Sequence, residues 1–483
     1  MINSSIKKNF IMNSLLTMSS MIFPIITFPY VSRIISPVGT GKVSFAISLI
    51  SYFNMIAQLG IPTYGIRSCA KVRDNKEELS RIVHELVAIN LMTTLVSYII
   101  FFAVLLTVPR LQEDRILYIV VSTTIIFQTI GIEWLYKALE QYTYITIRSV
   151  SFKLIALVFM FLFIHNQDDY IIYGIITVFA SSASMVLNLI NSKRYIYFKC
   201  VGDYKLRKHL KAIFVFFAIA FAASIYTNLD VLLLGFMKSD IDVGYYNAAI
   251  KVKSILVSIV TSLGVVLFPR VSYYIEHSYM ELFENLTKKA INFVLVFSIP
   301  LSVYFSIFSQ YIILFLGGKD FFGAIVPMRI IMFTLPVIGI TNIFGMQILT
   351  PYGKEKIILI SNIIGVFVDL FFNILLIPHL GASGAAIASF VAEMSVLIVE
   401  YSILRSVIRF SNMRIACWKI LISIFIGSII AWNANEMINI NNILGNILVT
   451  GSIYFSVTYI LMILFKEEFL IYIINQVKIK KKL

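Results

Sequence analysis

The sequence predicts an all-α polytopic membrane protein, and three observations carry that reading. Of its 483 residues, 59% are hydrophobic and 13% are charged, where a soluble domain carries about 25% charged residues. The mean hydropathy is +0.89. Apolar runs of about 20 residues recur along the whole chain with no soluble domain between them, and that is the length a helix needs to cross a bilayer. Only helices and closed barrels satisfy their backbone in lipid, and these runs are too long and too continuous for alternating barrel strands.

In chain order the runs predict fourteen transmembrane helices, at about 10–32, 43–62, 85–108, 116–136, 149–165, 170–190, 212–236, 245–268, 290–315, 325–349, 357–377, 382–403, 415–433 and 443–465. The first follows Lys7 and Lys8 and mimics a signal peptide. Its apolar part is too long for one and lacks a small-residue cleavage site, so it reads as an uncleaved span. The loops between runs set the orientation. Placing the N-terminus in the cytoplasm puts 30 Lys and Arg inside and 7 outside, with Lys153, Lys251 and Lys253 left within spans. The largest inside group is "NSKRYIYFKCVGDYKLRKHLK", between the sixth and seventh spans. This predicts a multi-pass protein of the plasma (inner) membrane with both termini cytoplasmic. Cys69, Cys200 and Cys417 then fall at cytoplasmic ends, as isolated thiols should. The net charge of +15 is mostly this inside bias, which requires no nucleic-acid partner. The tail "KIKKKL" reads as an anchor to anionic lipid.

The chain also repeats itself weakly. "GKVSFAISLI" from Gly41 matches "GYYNAAIKVK" from Gly244 at an offset of 203, "GIITVFASSASMV" from Gly174 matches "GAAIASFVAEMSV" from Gly384 at 210, and "GIEWLY" from Gly131 matches "GMQILT" from Gly345 at 214. Near-equal offsets predict two six-helix lobes, residues 1–205 and 206–410. Residues 411–483 supply two extra helices and a basic tail. An even number of spans per lobe makes the lobes a parallel repeat about a pseudo-two-fold axis along the membrane normal.

Enzyme signatures are absent: there is no P-loop, no HExxH, no glycine-rich nucleotide turn and no Cys or His cluster. Transport without ATP hydrolysis is the remaining class, and ionisable residues inside spans become its candidates. In the eighth span, helical spacing sets Asn247, Lys251, Ser254, Ser258 and Thr261 on one polar stripe, with Lys253 about 200° round from Lys251. Lys251 is read as a cavity cation, against a structural ion pair or a snorkelling lysine. Lys253 is read as snorkelling to the outer interface, about 13 Å in by helical rise. Asp230 in the seventh span either pairs with Lys251 or takes up a coupling proton. In the first span Asn13, Thr17, Ser20, Pro24 and Thr27 form a second polar stripe. Glu133 and Lys137 stand at i, i+4 and predict an intrahelical pair. Asp369 and Glu393 either serve ion coupling, with H+ or Na+ as the coupling ion, or hydrogen-bond inside the bundle. Arg148 and Lys153 at the fifth span either snorkel or form an entry site for an anionic headgroup. Arg33 and Lys42 flank the outer turn as interfacial anchors. The run "GASGAAIAS" is read as close helix packing.

Three blocks in order, "YVSRIISPVGTGKVSFAISLISYFNMIAQLGIPTYGIR" (30–67), "NLDVLLLGFMKSDIDVGYYNAAIKV" (228–252) and "NILLIPHLGASGAAIAS" (373–389), resemble the polysaccharide-transporter branch of the multidrug/oligosaccharidyl-lipid/polysaccharide exporter superfamily. These are the Wzx-type flippases of O-antigen and capsule repeat units, and the resemblance covers nearly the whole length. It implies a MATE-like fold with a central cavity that alternates sides. The implied substrate is an undecaprenyl-pyrophosphate-linked oligosaccharide moved to the outer leaflet. It implies no cofactor; its partners are lipid-linked oligosaccharide and membrane lipids, with a polysaccharide polymerase and chain-length proteins as further candidates. Lys251 matches the cationic cavity of the family by chemistry and not by a fixed motif position. Three alternatives stand beside this: a drug/cation antiporter of the same superfamily, a peptidoglycan-precursor (lipid II) flippase, and a membrane polymerase or ligase. The last lacks the long outer loop it would need.

Overall fold

The computed structural model describes residues 6–405, 417–438 and 442–480, and the described residues are helical with no strand. Arg409, Arg414 and the end of the basic tail lie outside them. The chain forms two compact units, Met1–Gly244 and Tyr245–Leu483.

The first unit holds α1 (Ile6–Gln58), α2 (Ile61–Lys71), α3 (Lys76–Thr107), α4 (Pro109–Gln112), α5 (Arg115–Gly131), α6 (Glu133–Ala138), α7 (Tyr142–Phe163), α8 (Tyr170–Val178), α9 (Met185–Ser192) and α10 (Arg207–Met237), with a π-helical turn at Phe179–Ala183. It also takes in the start of α11 (Asp240–Glu276). The 53-residue α1 is two helices joined at Ser36, whose φ of 61° and ψ of 176° are non-helical. Pro37 explains the break, because a proline disfavours the helical region in the residue before it. Thr40 Oγ1 then donates back to the carbonyls of Ser36 and Pro37. Helix α3 starts where Asn75 accepts from the amides of Glu77 and Glu78, two acids that also suit a helix N-terminus. At that end of the unit the fully buried Glu85 accepts from Lys205 N (2.7 Å) and pairs with Lys208 Nζ (2.9 Å) and His209 Nε2 (2.8 Å). His209 Nδ1 meets the Tyr64 hydroxyl at 2.7 Å, so α2, α3 and α10 share one polar knot.

Gly41 and Gly244 mark a crossing of α1 over the start of α11. A Cβ at Gly41 would lie 1.8 Å from the Asp240 carbonyl oxygen, and one at Gly244 would lie 2.2 Å from that of Pro37. Only glycine permits this approach. The two contacts are reciprocal under the 203-residue offset: Pro37 corresponds to Asp240 and Gly41 to Gly244.

The second unit continues with α12 (Met280–Ile307), α13 (Ser309–Gly317), α14 (Ile325–Ile331), α15 (Thr334–Asn342), α16 (Glu355–Leu380), α17 (Ala382–Leu404), α18 (Cys417–Ile438), α19 (Ile443–Leu464) and α20 (Glu468–Lys480), with a second π-helical turn at Ile343–Leu349. Helices α16 and α17 form an antiparallel hairpin about Gly381, whose φ is 54°. In "GASGAAIAS", Ala382, Gly384, Ala385, Ala386 and Ala388 are buried. A Cβ on Gly384 would stand 2.6 Å from the Leu376 carbonyl oxygen, so the run is indeed close packing. Helix α16 is turned inside out relative to a soluble helix. Ser361, Gly365, Asp369 and Asn373 are buried, while Ile360, Phe367, Phe371 and Ile374 are exposed. Such an outer surface is stable against lipid and not against water.

Among the described residues, ten helices are long and apolar enough to cross a membrane, or eleven if the pair bent by 45° around residues 332–333 is one span. The expected count of fourteen is not confirmed by this measure, and two structural features lower it. The first two expected spans run on as one kinked element. Helix α5 stops after 17 residues, where Ile132 takes a left-handed conformation (φ 35°).

Candidate functional site

In the first unit, the polar face of α1 meets a lysine from α7. Asn13, Thr17 and Ser20 are exposed. Their helix satisfies part of the stripe itself: Thr17 Oγ1 donates to the Asn13 carbonyl (3.0 Å) and Ser20 Oγ to that of Leu16 (3.0 Å). Lys153 Nζ, half-buried, then donates to Ser20 Oγ (2.7 Å) and to Ser19 Oγ (3.1 Å). Thr146 Oγ1 bonds the Met12 carbonyl and fixes α7 along α1. Lys153 lies eleven residues into the 22-residue α7, about 16 Å from its start by helical rise. It stands near the middle of α7. Ser19, absent from the expected stripe, is its second acceptor.

Arg148 has a different fate. It is 5% exposed and its Nη2 pairs with Glu133 Oε2 at 2.9 Å, while Lys137 Nζ takes Glu133 Oε1 at 2.9 Å. The i, i+4 pair is present, and a third charge joins it from α7. Lys42 is drawn into a cluster as well: its Nζ pairs with Asp114 Oδ1 at 2.9 Å, and the Tyr170 hydroxyl donates to the same oxygen at 2.7 Å. Nearby, Arg110 pairs with Asp240 and Glu113. Burial works against the charge on Arg110, yet the Asp240 carboxylate holds its guanidinium above its usual value. Arg33 is exposed. Asp230, half-buried on α10, belongs to this unit.

In the second unit, Asn247, Lys251 and Ser258 are half-buried and Ser254 is exposed on α11. Ser254, Ser258 and Thr261 donate to the carbonyls of Ile250, Ser254 and Val257 at 2.9, 2.8 and 2.9 Å. These hydroxyls therefore line a polar face without competing for other partners. Lys253 is also half-buried, so burial alone does not separate the two lysines; their helix faces do. Tyr246 is buried, and its hydroxyl meets Ser389 Oγ of α17 at 2.7 Å. Asp369, Asn373 and Glu393 are buried on the α16–α17 hairpin. Glu400, two turns beyond Glu393, is buried there too. It was legible as an acid in the apolar run "VLIVEYSIL" but was not singled out. No cluster of three or more metal-ligating side chains occurs among the described residues.

Among the described residues, ten or eleven helices are long and apolar enough to cross a membrane, and several carry polar faces, so the chain is a multi-pass membrane protein. The sequence places it more narrowly. The family model described as "Polysaccharide biosynthesis protein" matches residues 6–275, and the chain belongs to that family. A second model, MatE, matches residues 216–375. A protein of Escherichia coli (strain K12) named "Putative O-antigen transporter" is 22% identical over 73% of this chain and 85% of its own length. One of the same name from Shigella dysenteriae is 25% identical over 81% of this chain and 98% of its own. Among solved structures, "Lipid II flippase MurJ, inward closed conformation" superposes with a TM-score of 0.73 at 16% identity, covering 94% of this chain and 98% of that one. An inward-facing multidrug resistance MATE family transporter superposes with a TM-score of 0.59 at 14% identity, covering 84% and 98%. These likenesses show the fold, and both the relatives and the neighbours are named as transporters or flippases, not as enzymes.

Proposed function

We propose that the chain translocates undecaprenyl-pyrophosphate-linked oligosaccharide repeat units, of O-antigen or capsule type, from the cytoplasmic to the outer leaflet of the plasma membrane by alternating access. The names of its relatives support this reading, and one observation carries it: Lys153, a mid-helix cation, is bonded to hydroxyls on an otherwise exposed polar face. Exposed Asn, Thr and Ser at that depth suit a wetted path and not lipid. An ammonium held by neutral hydroxyls keeps its charge available for a phosphate. Lys251, Asn247, Ser254 and Ser258 give the second unit a comparable face, and Asp230 of the first unit is a candidate for coupling a proton. The anionic pyrophosphate runs outward down the inside-negative potential, worth ~2.3 kcal/mol per charge per 100 mV. The sugar follows the hydroxyl-lined path while the polyprenyl tail stays in lipid. Asp369 and Glu393 are the candidates for H+ or Na+ coupling. Both termini are cytoplasmic in this scheme, and a polymerase with its chain-length proteins receives the product.

Cells lacking the chain should accumulate lipid-linked repeat units on the inner leaflet, and the purified chain in vesicles should move them. Lys251→Glu should abolish surface polysaccharide at normal protein level, and Lys253→Glu should harm it less. Equal losses would defeat the two-face assignment of α11. The MatE match over 216–375 favours one rival, an organic-cation exporter. Movement of organic cations in place of the lipid-linked sugar would establish it.

A further inference from the structure

We propose that Glu400 is a proton-binding residue of the transport cycle, a role that rests on the transport reading above and lies outside the polar faces of α1 and α11. Glu400 is 2% exposed on α17. Oε1 accepts from Ser361 Oγ of α16 at 3.3 Å, and Oε2 meets no hydrogen-bond partner among the described residues. The carboxyl lies over the π-helical turn Ile343–Leu349: a Cβ on Gly345 would be 3.2 Å from Oε1, so the absence of a side chain there makes room for it. The next residue, Tyr401, stacks its ring on Phe344 of the same turn. Around the site Ile343, Phe344, Ile348, Leu349 and Leu404 are buried in one apolar cluster.

The groups facing this carboxyl are neutral or acidic. Helix α16 offers the Ser361 hydroxyl. The π turn offers Gly345 and Phe344. Helix α17 offers, two turns back, the carboxyl of Glu393. Among the described residues no ion pair reaches Glu400, and a carboxylate so placed would cost several kcal/mol. A proton from water adds to one carboxyl oxygen, forms an O–H bond and removes the charge; release returns that proton to water with no electron transferred. The π turn supplies the gate. The Gly345 carbonyl accepts from Thr350 N (3.0 Å) and Thr350 Oγ1 (3.1 Å), the i→i+5 pattern of an inserted residue. Resetting that turn to α pitch rotates its residues by about 100°. Gly345 and Phe344 would then swing off the carboxyl and admit water.

Infrared difference spectra of the full chain in lipid vesicles, recorded between acid and alkaline pH, test this without any substrate. The wild type should show a protonated-carboxyl band that Glu400→Gln loses. Ser361→Ala keeps the carboxyl but removes its donor, and should move that band to higher frequency. An unchanged band in Glu400→Gln overturns the proposal; if that variant does not fold, an unmoved band in Ser361→Ala overturns it. If the band behaves as expected but cells lacking the chain flip their lipid-linked sugars normally, the proton site stands and the substrate reading falls.

Discussion

Arg148 and Lys153 are five residues apart on α7, and they illustrate two ways to carry a cation inside a membrane protein. Arg148 is almost fully buried and shares Glu133 with Lys137. Lys153 is half-buried and donates to two serine hydroxyls, with no carboxylate bonded to it among the described residues. Five residues amount to about 140° of rotation round the helix, so the two side chains leave α7 on different faces. One faces the α6 corner, where an acid waits. The other faces the polar stripe of α1. The lesson is that charge within a span is not one category. A neutralised cation holds elements together, and a cation bonded only to hydroxyls keeps its field for something else.

The sharpest way to break this contrast is Arg148→Met. It removes one partner of a buried pair and leaves Glu133 with Lys137 alone, a loss of about 3–5 kcal/mol. Protein level and thermal midpoint in detergent should both fall, and a second change, Glu133→Gln, should recover part of the loss. Lys153→Met should do the opposite. Its protein level should remain near normal because only hydroxyl contacts are lost, while surface polysaccharide drops severalfold. Should Lys153→Met unfold the protein while Arg148→Met spares it, the assignment of roles is reversed.

Sequence periodicity set Arg148 and Lys153 together because both interrupt one apolar run; it could not supply Glu133 as the partner of Arg148. That pair depends on the backbone corner between α5 and α7, where Ile132 and Glu140 take positive φ (35° and 59°) without a glycine to announce it. The repeat was more legible. Gly41 and Gly244 were visible as equivalent positions, and Ser36–Pro37 falls in the expected outer turn. That these two glycines face each other across a reciprocal crossing needed coordinates, since an offset gives equivalence and not contact. The acids show the same limit. Asp369 and Glu393 stood out in their runs, but their burial on the two helices of one hairpin, with Glu393 two turns from Glu400 on α17, needed the coordinates.

The smallest expected effect separates the two halves of the Glu133 pair. Lys137 is more exposed than Arg148, with side-chain exposures of 37% and 3%, and it sits at i, i+4 from Glu133. Water screens such a contact, which is worth about 0.2–0.5 kcal/mol in a helix. Lys137→Ala should therefore move the thermal midpoint by a degree or so, leave surface polysaccharide unchanged, and lose that small effect at high salt. Arg148→Met should keep its effect at high salt, because Debye screening acts weakly on a buried pair. Parallel salt series on the two variants read this difference directly. If both respond alike, Arg148 is reached by solvent, and the contrast between a buried structural cation and an available one narrows to Lys153 alone.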